Sequence, residues 1–322
     1  MSYIIGWKGD NCVFLSGDIA ITRNSKIKLR NSKSIFGNEL INEIGKSINE
    51  ECLKLIKINN KLITAFAGNV QAALEFINYL KMYTNESDND LVAMIKFIAE
   101  RYNSNNEVFS VFIGLIDKIG EARLFSFNLN NDYKLIEHEE PIQDGSLENS
   151  YRKLSSEFCN EISSKPDLTE DEILVIVNMY HQNLIIQEDL LKKGVGGIFS
   201  GIKINSKGVK WQKDTSIVLY QFKQGAEGLK TNNPEKLFDY TALINVVERD
   251  GFLRYSSPFP DDLYRREVIY NCLDIPRTIS DFEKKKDLVI NWHKKWHKKT
   301  NKIFNSVNTQ YYCIISRTAV YT

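Results

Sequence analysis

The sequence has few of the features that mark secreted or metal-binding proteins. Its 322 residues include only six prolines and five cysteines. The cysteines are scattered, odd in number and never spaced as C-x-x-C, which argues against a disulfide framework and a cysteine metal site. They are Cys12, Cys52, Cys159, Cys272 and Cys313. This distribution favours a reducing compartment.

Long apolar runs and an excess of one charge are also missing. No apolar run reaches the roughly 18 residues that a membrane-spanning helix needs, and the N-terminus lacks the basic region and apolar core of a signal peptide. Lys and Arg number 42 against 41 Asp and Glu, so a net charge of +1 gives no global attraction to membranes or nucleic acid. We therefore expect a cytoplasmic protein with no membrane partner, and nucleic acid is not favoured as a partner.

Alternating apolar residues and short turns predict antiparallel hairpins separated by blocks of helix. The runs YIIGWK and CVFLSG flank the turn GDN, and LKLIKI and LITAFAG flank NNK. Helical spacing follows in NVQAALEFINYLKMYT and DNDLVAMIKFIAERYN, and then strand patterns in VFSVFIGLID and ARLFSFNL. A long helix starts at a capping box of Thr169 and Glu172, before strand patterns in GGIFSGIKINSKGVKWQ and TSIVLYQF. This order predicts an α+β protein with two antiparallel sheets.

The pattern changes near residue 220, which predicts two regions. Residues 1–220 contain the hairpins and helices of the predicted sandwich. Residues 221–322 hold a basic stretch and a β-rich tail, and they predict a C-terminal extension of mixed α and β structure, either a small domain or an arm. The polar segment 23–50 predicts a loop with one short helix.

Several short motifs occur in an order that resembles a known enzyme family. Ser2 follows Met1, a strand-turn-strand unit ends in SGD at Asp18, KLIKI begins at Lys54, and FAGN contains Gly68. Together with FIGLIDKIGEARLFSFN and the Gly-Ser turn in DGSLENSY, this order resembles proteasome β-subunits and their bacterial relatives, which are N-terminal-nucleophile hydrolases. The resemblance covers residues 1–220 and implies a four-layer αββα sandwich of two antiparallel sheets.

The resemblance implies a catalytic role for each matching residue. Ser2 would be the nucleophile once Met1 is removed, and its α-amino group, with an ordinary pKa of about 7.7–8.0, would be the general base. Lys54 would lower the pKa of this amine through like-charge repulsion, and Asp18 would hold Lys54 charged and oriented. The Gly68 N–H would stabilise the oxyanion, where glycine also allows close approach of the substrate.

The same resemblance implies two supporting residues and a reaction. Thr22, four residues after Asp18, would contact the substrate backbone, and Ser146 would be the supporting serine. The reaction would cleave a peptide or amide bond through an ester on Ser2, without a cofactor or metal. Implied partners are a peptide or amide substrate and further copies of the chain, with an ATPase ring or another protein as a candidate. The chain departs from the family in using Ser2 for the usual Thr and Ala20 for the usual Arg.

Two other functions stay open from the sequence. The chain could keep the sandwich as a catalytically inactive assembly scaffold, since each candidate site residue alone has an ordinary structural explanation. It could instead be a binding protein that acts through the basic stretch 283–302, where Trp292 and Trp296 lie among lysines. His293 and His297 would share a helix face as half of a zinc site, but no third ligand is near in sequence, so a solvated basic helix is favoured.

Overall fold

The computed structural model of the protein describes most of the first 212 residues and a set of strands beyond them. The described residues are 2–23, 45–50, 52–84, 90–102, 107–188, 190–212, 215–222, 238–249, 252–259, 262–270 and 311–316. The basic stretch 283–302, which includes His293 and His297, lies outside them, and so do residues 24–44 of the predicted loop. None of the described helices is both long enough and apolar enough to cross a membrane.

The chain forms hairpins around blocks of helix. The first elements are β1 (Tyr3–Gly9), β2 (Cys12–Gly17), β3 (Ala20–Arg23), β4 (Ser47–Glu50), β5 (Leu55–Asn59), β6 (Leu62–Gly68), α1 (Val70–Tyr83), α2 (Leu91–Arg101), β7 (Phe109–Ile116), β8 (Ala122–Asn128), β9 (Ile136–His138) and β10 (Ile142–Gly145). They are followed by α3 (Asn149–Ser163), α4 (Glu170–Gln187), β11 (Ser200–Asn205), β12 (Gly208–Trp211), β13 (Thr215–Phe222), β14 (Phe238–Arg249), β15 (Phe252–Phe259), β16 (Asp262–Tyr270) and β17 (Tyr311–Ser316). The predicted α+β character is confirmed.

The described strands pair into three sheets and one short ribbon. The first sheet has the order β10-β1-β2-β11-β12 and the second has the order β5-β6-β7-β8-β9, and every pairing in both is antiparallel. A third sheet has the order β16-β15-β14-β13-β17, in which β17 runs parallel to β13. The ribbon pairs β3 with β4.

The central strands of the first two sheets bury side chains on both of their faces. In β2, Leu15 belongs to an apolar cluster that also contains Ala65 of the second sheet, while Phe14 belongs to a cluster with Cys159 of α3 and Val177 of α4. Successive side chains of a strand point to opposite faces, so a strand that is covered on both sides has a continuous apolar sequence. This explains why CVFLSG lacks polar alternation.

The second sheet uses its other face to bind α1 and α2. Phe66 of β6 and Phe127 of β8 share a cluster with Phe76 of α1 and Ile95 of α2. The rings of Phe76 and Phe127 stack with their centroids 4.1 Å apart. Helix α4 begins at the predicted capping box, in which the Thr169 hydroxyl accepts from the Glu172 N–H and the Glu172 carboxylate accepts from the Thr169 N–H.

The prediction of a loop with one short helix for residues 23–50 is wrong at its C-terminal end. Residues 47–50 form β4, which pairs with β3 so that Thr22 lies opposite Ile48. The short polar strand is stabilised by its partner and carries too little alternation to be recognised alone. The predicted boundary at residue 220 falls inside β13, whose neighbours β14 and β17 belong to the C-terminal region. The division into two regions stays a prediction.

Candidate active site

Asp18 is a buried acceptor shared by four N–H groups from different parts of the chain. It follows β2 directly, and its side chain is 0% exposed. Its Oδ1 accepts from the Tyr3 N–H at 2.9 Å and from the Lys54 ammonium, and its Oδ2 accepts from Gly196 N–H at 2.9 Å and Ala20 N–H at 3.3 Å. Burying a carboxylate is costly unless it is paired and hydrogen-bonded, and these donors meet both conditions.

Lys54 connects Asp18 to the second sheet. It lies just before β5, and its carbonyl accepts from the Phe66 N–H of β6 at 3.1 Å, which fixes its backbone. Its side chain is 0% exposed, and its Nζ also donates to the Ala20 carbonyl at 2.6 Å. The ion pair therefore crosses from the first sheet to the second sheet, with both charges compensated.

The peptide group that follows Ser2 is held at both of its polar atoms. Ser2 is 3% exposed, and its carbonyl accepts from the Ser146 N–H at 2.7 Å. The next N–H, that of Tyr3, donates to Asp18 Oδ1. Because the Lys54 ammonium donates to the same oxygen, one carboxylate oxygen connects this charge to the Ser2–Tyr3 peptide. The structure thus brings Ser2, Asp18, Lys54 and Ser146 together.

Gly145 makes the close approach to Ser2 sterically feasible. It pairs with Tyr3 across β1 and β10 and has a φ of 121°, a conformation that L side chains rarely adopt. A Cβ placed on Gly145 would lie 1.9 Å from the Ser2 carbonyl oxygen. Glycine at this position is therefore required for the hydrogen bond between Ser146 and Ser2.

Gly68 ends β6 on the second sheet and begins the turn into α1. It is exposed, its φ is 87°, and a Cβ there would lie 2.6 Å from the Val108 carbonyl oxygen. Asn69 then caps α1, since its side chain accepts from the N–H groups of Gln71 at 3.0 Å and Ala72 at 3.2 Å. Glycine here is therefore required for the close approach of Gly68 to the Val108 carbonyl.

Thr22 is placed on the ribbon that leaves the Asp18 end of the first sheet. It lies in β3, opposite Ile48, and it is half-buried. Its hydroxyl is shielded from solvent and finds no hydrogen-bond partner within the described part of the chain. A buried hydroxyl without a partner is uncommon in folded proteins, and the substrate contact of Thr22 stays a prediction.

Sequence reasoning missed a further residue of the cluster, Gly196. Its N–H donates to Asp18, and a Cβ there would lie 2.2 Å from Leu191. Gly197 has a φ of 74°, and a Cβ on it would lie 2.4 Å from Ile19. The adjacent glycines in GVGGIF were a usable signal of close backbone approach, although the stretch lacks the following helix and Lys of a phosphate loop.

Two buried thiols and one buried imidazole are poorly suited to catalysis. Burial raises the pKa of the Cys12 and Cys159 thiols, so both stay protonated at neutral pH. Burial lowers the pKa of His181 to about 4, so its ring is neutral. Within the described ranges, no three His, Cys, Asp or Glu side chains are grouped as a metal ion would need.

Comparisons with known proteins do not identify a family for this chain. No protein-family model matches the chain, and a search of curated proteins found no match. Any function must therefore be argued from the arrangement of Ser2, Asp18, Lys54 and their neighbours.

Proposed function

We propose that the protein is a hydrolase of peptide or amide bonds that uses Ser2 as an N-terminal nucleophile. The observation that carries the proposal is the buried Lys54–Asp18 pair joined through one oxygen to the Ser2–Tyr3 peptide. A solvated lysine or a turn-capping aspartate would not need this burial. The proposal requires Ser2 to be the first residue of the mature chain.

The proposed reaction starts at the Ser2 hydroxyl. Its Oγ attacks the substrate carbonyl while the α-amine takes the hydroxyl proton, and the Gly68 N–H stabilises the oxyanion. The ammonium then gives its proton to the leaving amine, which leaves an ester on Ser2. Water attacks the ester, again with the α-amine as base, and releases the carboxylic acid. The resemblance gives Lys54 the role of lowering the pKa of the α-amine, with Asp18 offsetting part of its charge.

The packing of the first two sheets supports the same proposal. One apolar cluster joins the sheets, while α1 and α2 pack on the second sheet and α3 and α4 pack on the first. We propose that these elements form the four-layer αββα sandwich of the N-terminal-nucleophile hydrolases. The family resemblance extends the proposal to assembly with further copies of the chain, in the cytoplasm, with an ATPase ring or another protein as a candidate partner.

The test is hydrolysis of a library of fluorogenic peptide amides by the purified full chain. Ser2→Ala should lower kcat/KM by roughly 10³-fold or more, because no other group replaces the nucleophile, while Ser2→Thr should retain activity. Ser164→Ala is the matched control, since this serine is exposed at the end of α3 and its hydroxyl only donates to the Glu161 carbonyl. Activity of Ser2→Ala equal to that of wild type would overturn the proposal by placing the nucleophile elsewhere, and a wild-type chain that cleaves no member of the library would overturn it in favour of the inactive scaffold.

A further inference from the structure

We infer that Asp144 is a positioning residue that fixes the Ser2 carbonyl against the strand next to Gly68. The inference rests on the proposed hydrolase function. Asp144 is half-buried in β10, directly before the turn that bonds Ser2. Its Oδ1 accepts from the Gly145 N–H at 2.5 Å, and its Oδ2 accepts from the Ser110 hydroxyl. One carboxylate therefore holds the turn and contacts the second sheet.

The contact with Ser110 reaches the strand that flanks the proposed oxyanion donor. Ser110 is buried in β7 and lies opposite Ala67 of β6, while the next pair in this register is Gly68 with Phe109. Ser2 belongs to the first sheet, whereas Gly68 belongs to the second. The bond between Asp144 and Ser110 is thus a second polar link between these sheets, in addition to the pair of Lys54 and Asp18.

Arg152 of α3 holds the same turn from its other side. Its guanidinium donates to the carbonyls of Leu147 at 2.7 Å, Gln143 at 3.3 Å and Gly145. The N–H groups of Gly145 and Ser146 thus donate to the Asp144 carboxylate and the Ser2 carbonyl, and the carbonyls of the turn accept from the Arg152 guanidinium. The turn therefore has little freedom to move away from Ser2, whose carbonyl accepts from Ser146 at 2.7 Å.

This geometry assigns Asp144 an effect on rate without contact with the substrate. A displacement of about 1 Å between a nucleophile and its oxyanion donor can cost roughly 10²-fold in rate. If Asp144 or Ser110 is truncated, the turn is no longer fixed to β7, and the bond between the Ser146 N–H and the Ser2 carbonyl opens more often. The distance between Ser2 and Gly68 then varies, and fewer bound substrates are placed for attack.

The experiment measures kcat and KM for Asp144→Ala, Ser110→Ala and the double variant. Each single change should lower kcat about 10- to 100-fold with KM close to wild type, and the double variant should be no slower than the worse single, because the two groups act through one bond. Ser110→Thr keeps the hydroxyl and should keep kcat. Glu139→Gln is the control, since the partner of this exposed carboxylate among the described residues is Lys8. If Asp144→Ala keeps the wild-type kcat, the inference is overturned but the proposed hydrolase function is not.

Hydrogen exchange separates failure of the inference from failure of the proposed function. In Asp144→Ala and Ser110→Ala, the amides of Ser146 and Tyr3 should exchange faster than in wild type, with the helices unaffected. Absence of hydrolysis by the wild-type chain would overturn the proposed hydrolase. Faster exchange at these amides would support positioning by Asp144 even in that case. Unchanged exchange overturns the positioning role whatever the activity.

Discussion

Two pairings of a lysine with carboxylates, one at Lys54 and one at Lys203, differ in burial. In the candidate site, Lys54 and Asp18 are both 0% exposed. At the start of α4, Lys203 donates to Glu170 at 2.8 Å and to Asp171 at 2.6 Å, but these two acids are 35% and 21% exposed. The carboxylate that pairs with Lys54 is therefore shielded from solvent, whereas the two carboxylates that pair with Lys203 are in contact with it.

The difference also extends to the backbone groups around the acids. Asp18 accepts from the N–H groups of Tyr3, Ala20 and Gly196, so the chain is folded around its carboxylate. The acids near Lys203 lie in the first turn of a helix, where the macrodipole favours negative charge whatever reaction the protein performs. We infer that the Lys203 cluster stabilises a helix start, whereas the Lys54 cluster orients a reactive group.

The largest expected effect is the loss of one partner from the buried pair. Asp18→Ala should lower the free energy of unfolding by about 3–5 kcal/mol, because it leaves the Lys54 ammonium buried without a counter-charge and three backbone N–H groups without their acceptor. Urea denaturation measures the change, with Lys203→Met as the matched control in the other cluster. A loss no greater than that of the control would remove the distinction between the clusters.

The next largest effect is expected from His181, which is buried without a counter-charge among the described residues. Burial lowers the pKa of His181 from 6.5 to about 4, opposed only by a hydrogen bond to the Val177 carbonyl. The unfolded chain therefore binds more protons, so stability is complete above pH 6.5 and should fall by about 3 kcal/mol as the pH drops to 4. Denaturation midpoints across this range measure the slope, and His181→Gln should flatten it. An equally steep slope in His181→Gln would contradict this origin.

A smaller effect is expected from a methyl group placed against Ser2. Gly145→Ala should cost about 2 kcal/mol through its positive φ and its clash with the Ser2 carbonyl. Gly120→Ala is the control, because Gly120 also has a positive φ, 87°, but nothing lies within 4 Å of its Cβ position. Thermal unfolding of both variants isolates the clash. Equal destabilisation would show that Ser2 is not held as tightly as the hydrogen bond indicates.

The smallest effect is expected at the Lys203 cluster, whose acids are partly exposed. Lys203→Met should cost about 1 kcal/mol, since its partly exposed acids can be hydrated after the change. Burial lowers the pKa of Lys203, but the hydrogen bonds that its ammonium donates to Asp171 and Glu170 outweigh burial and leave the pKa above 10.5. The contribution should therefore be present below pH 10.5 and be lost as the pH rises through the raised pKa. Denaturation at neutral and high pH checks both points, and a loss comparable to that of Asp18→Ala would contradict the comparison.

The sequence predicts the local elements of this protein better than its long-range contacts. The turns GDN and NNK and the capping box at Thr169 are encoded by adjacent residues, and the structure contains all three. The proximity of Ser2, Asp18 and Lys54 was expected only from the order of motifs, because 36 residues separate the lysine from the aspartate. The links through Gly196 and from Asp144 to Ser110 leave no periodic pattern, since they depend on how the sheets meet.

The central claim is that Ser2 becomes an N-terminal nucleophile. Intact mass spectrometry of the chain after treatment with a peptide epoxyketone tests this claim most directly. A peptide epoxyketone closes a ring with both the hydroxyl and the α-amine of an N-terminal residue. The account predicts that the purified chain lacks Met1 and gains one such adduct at Ser2, and that Ser2→Ala gains none. Retention of Met1, or an adduct that persists in Ser2→Ala, would contradict it.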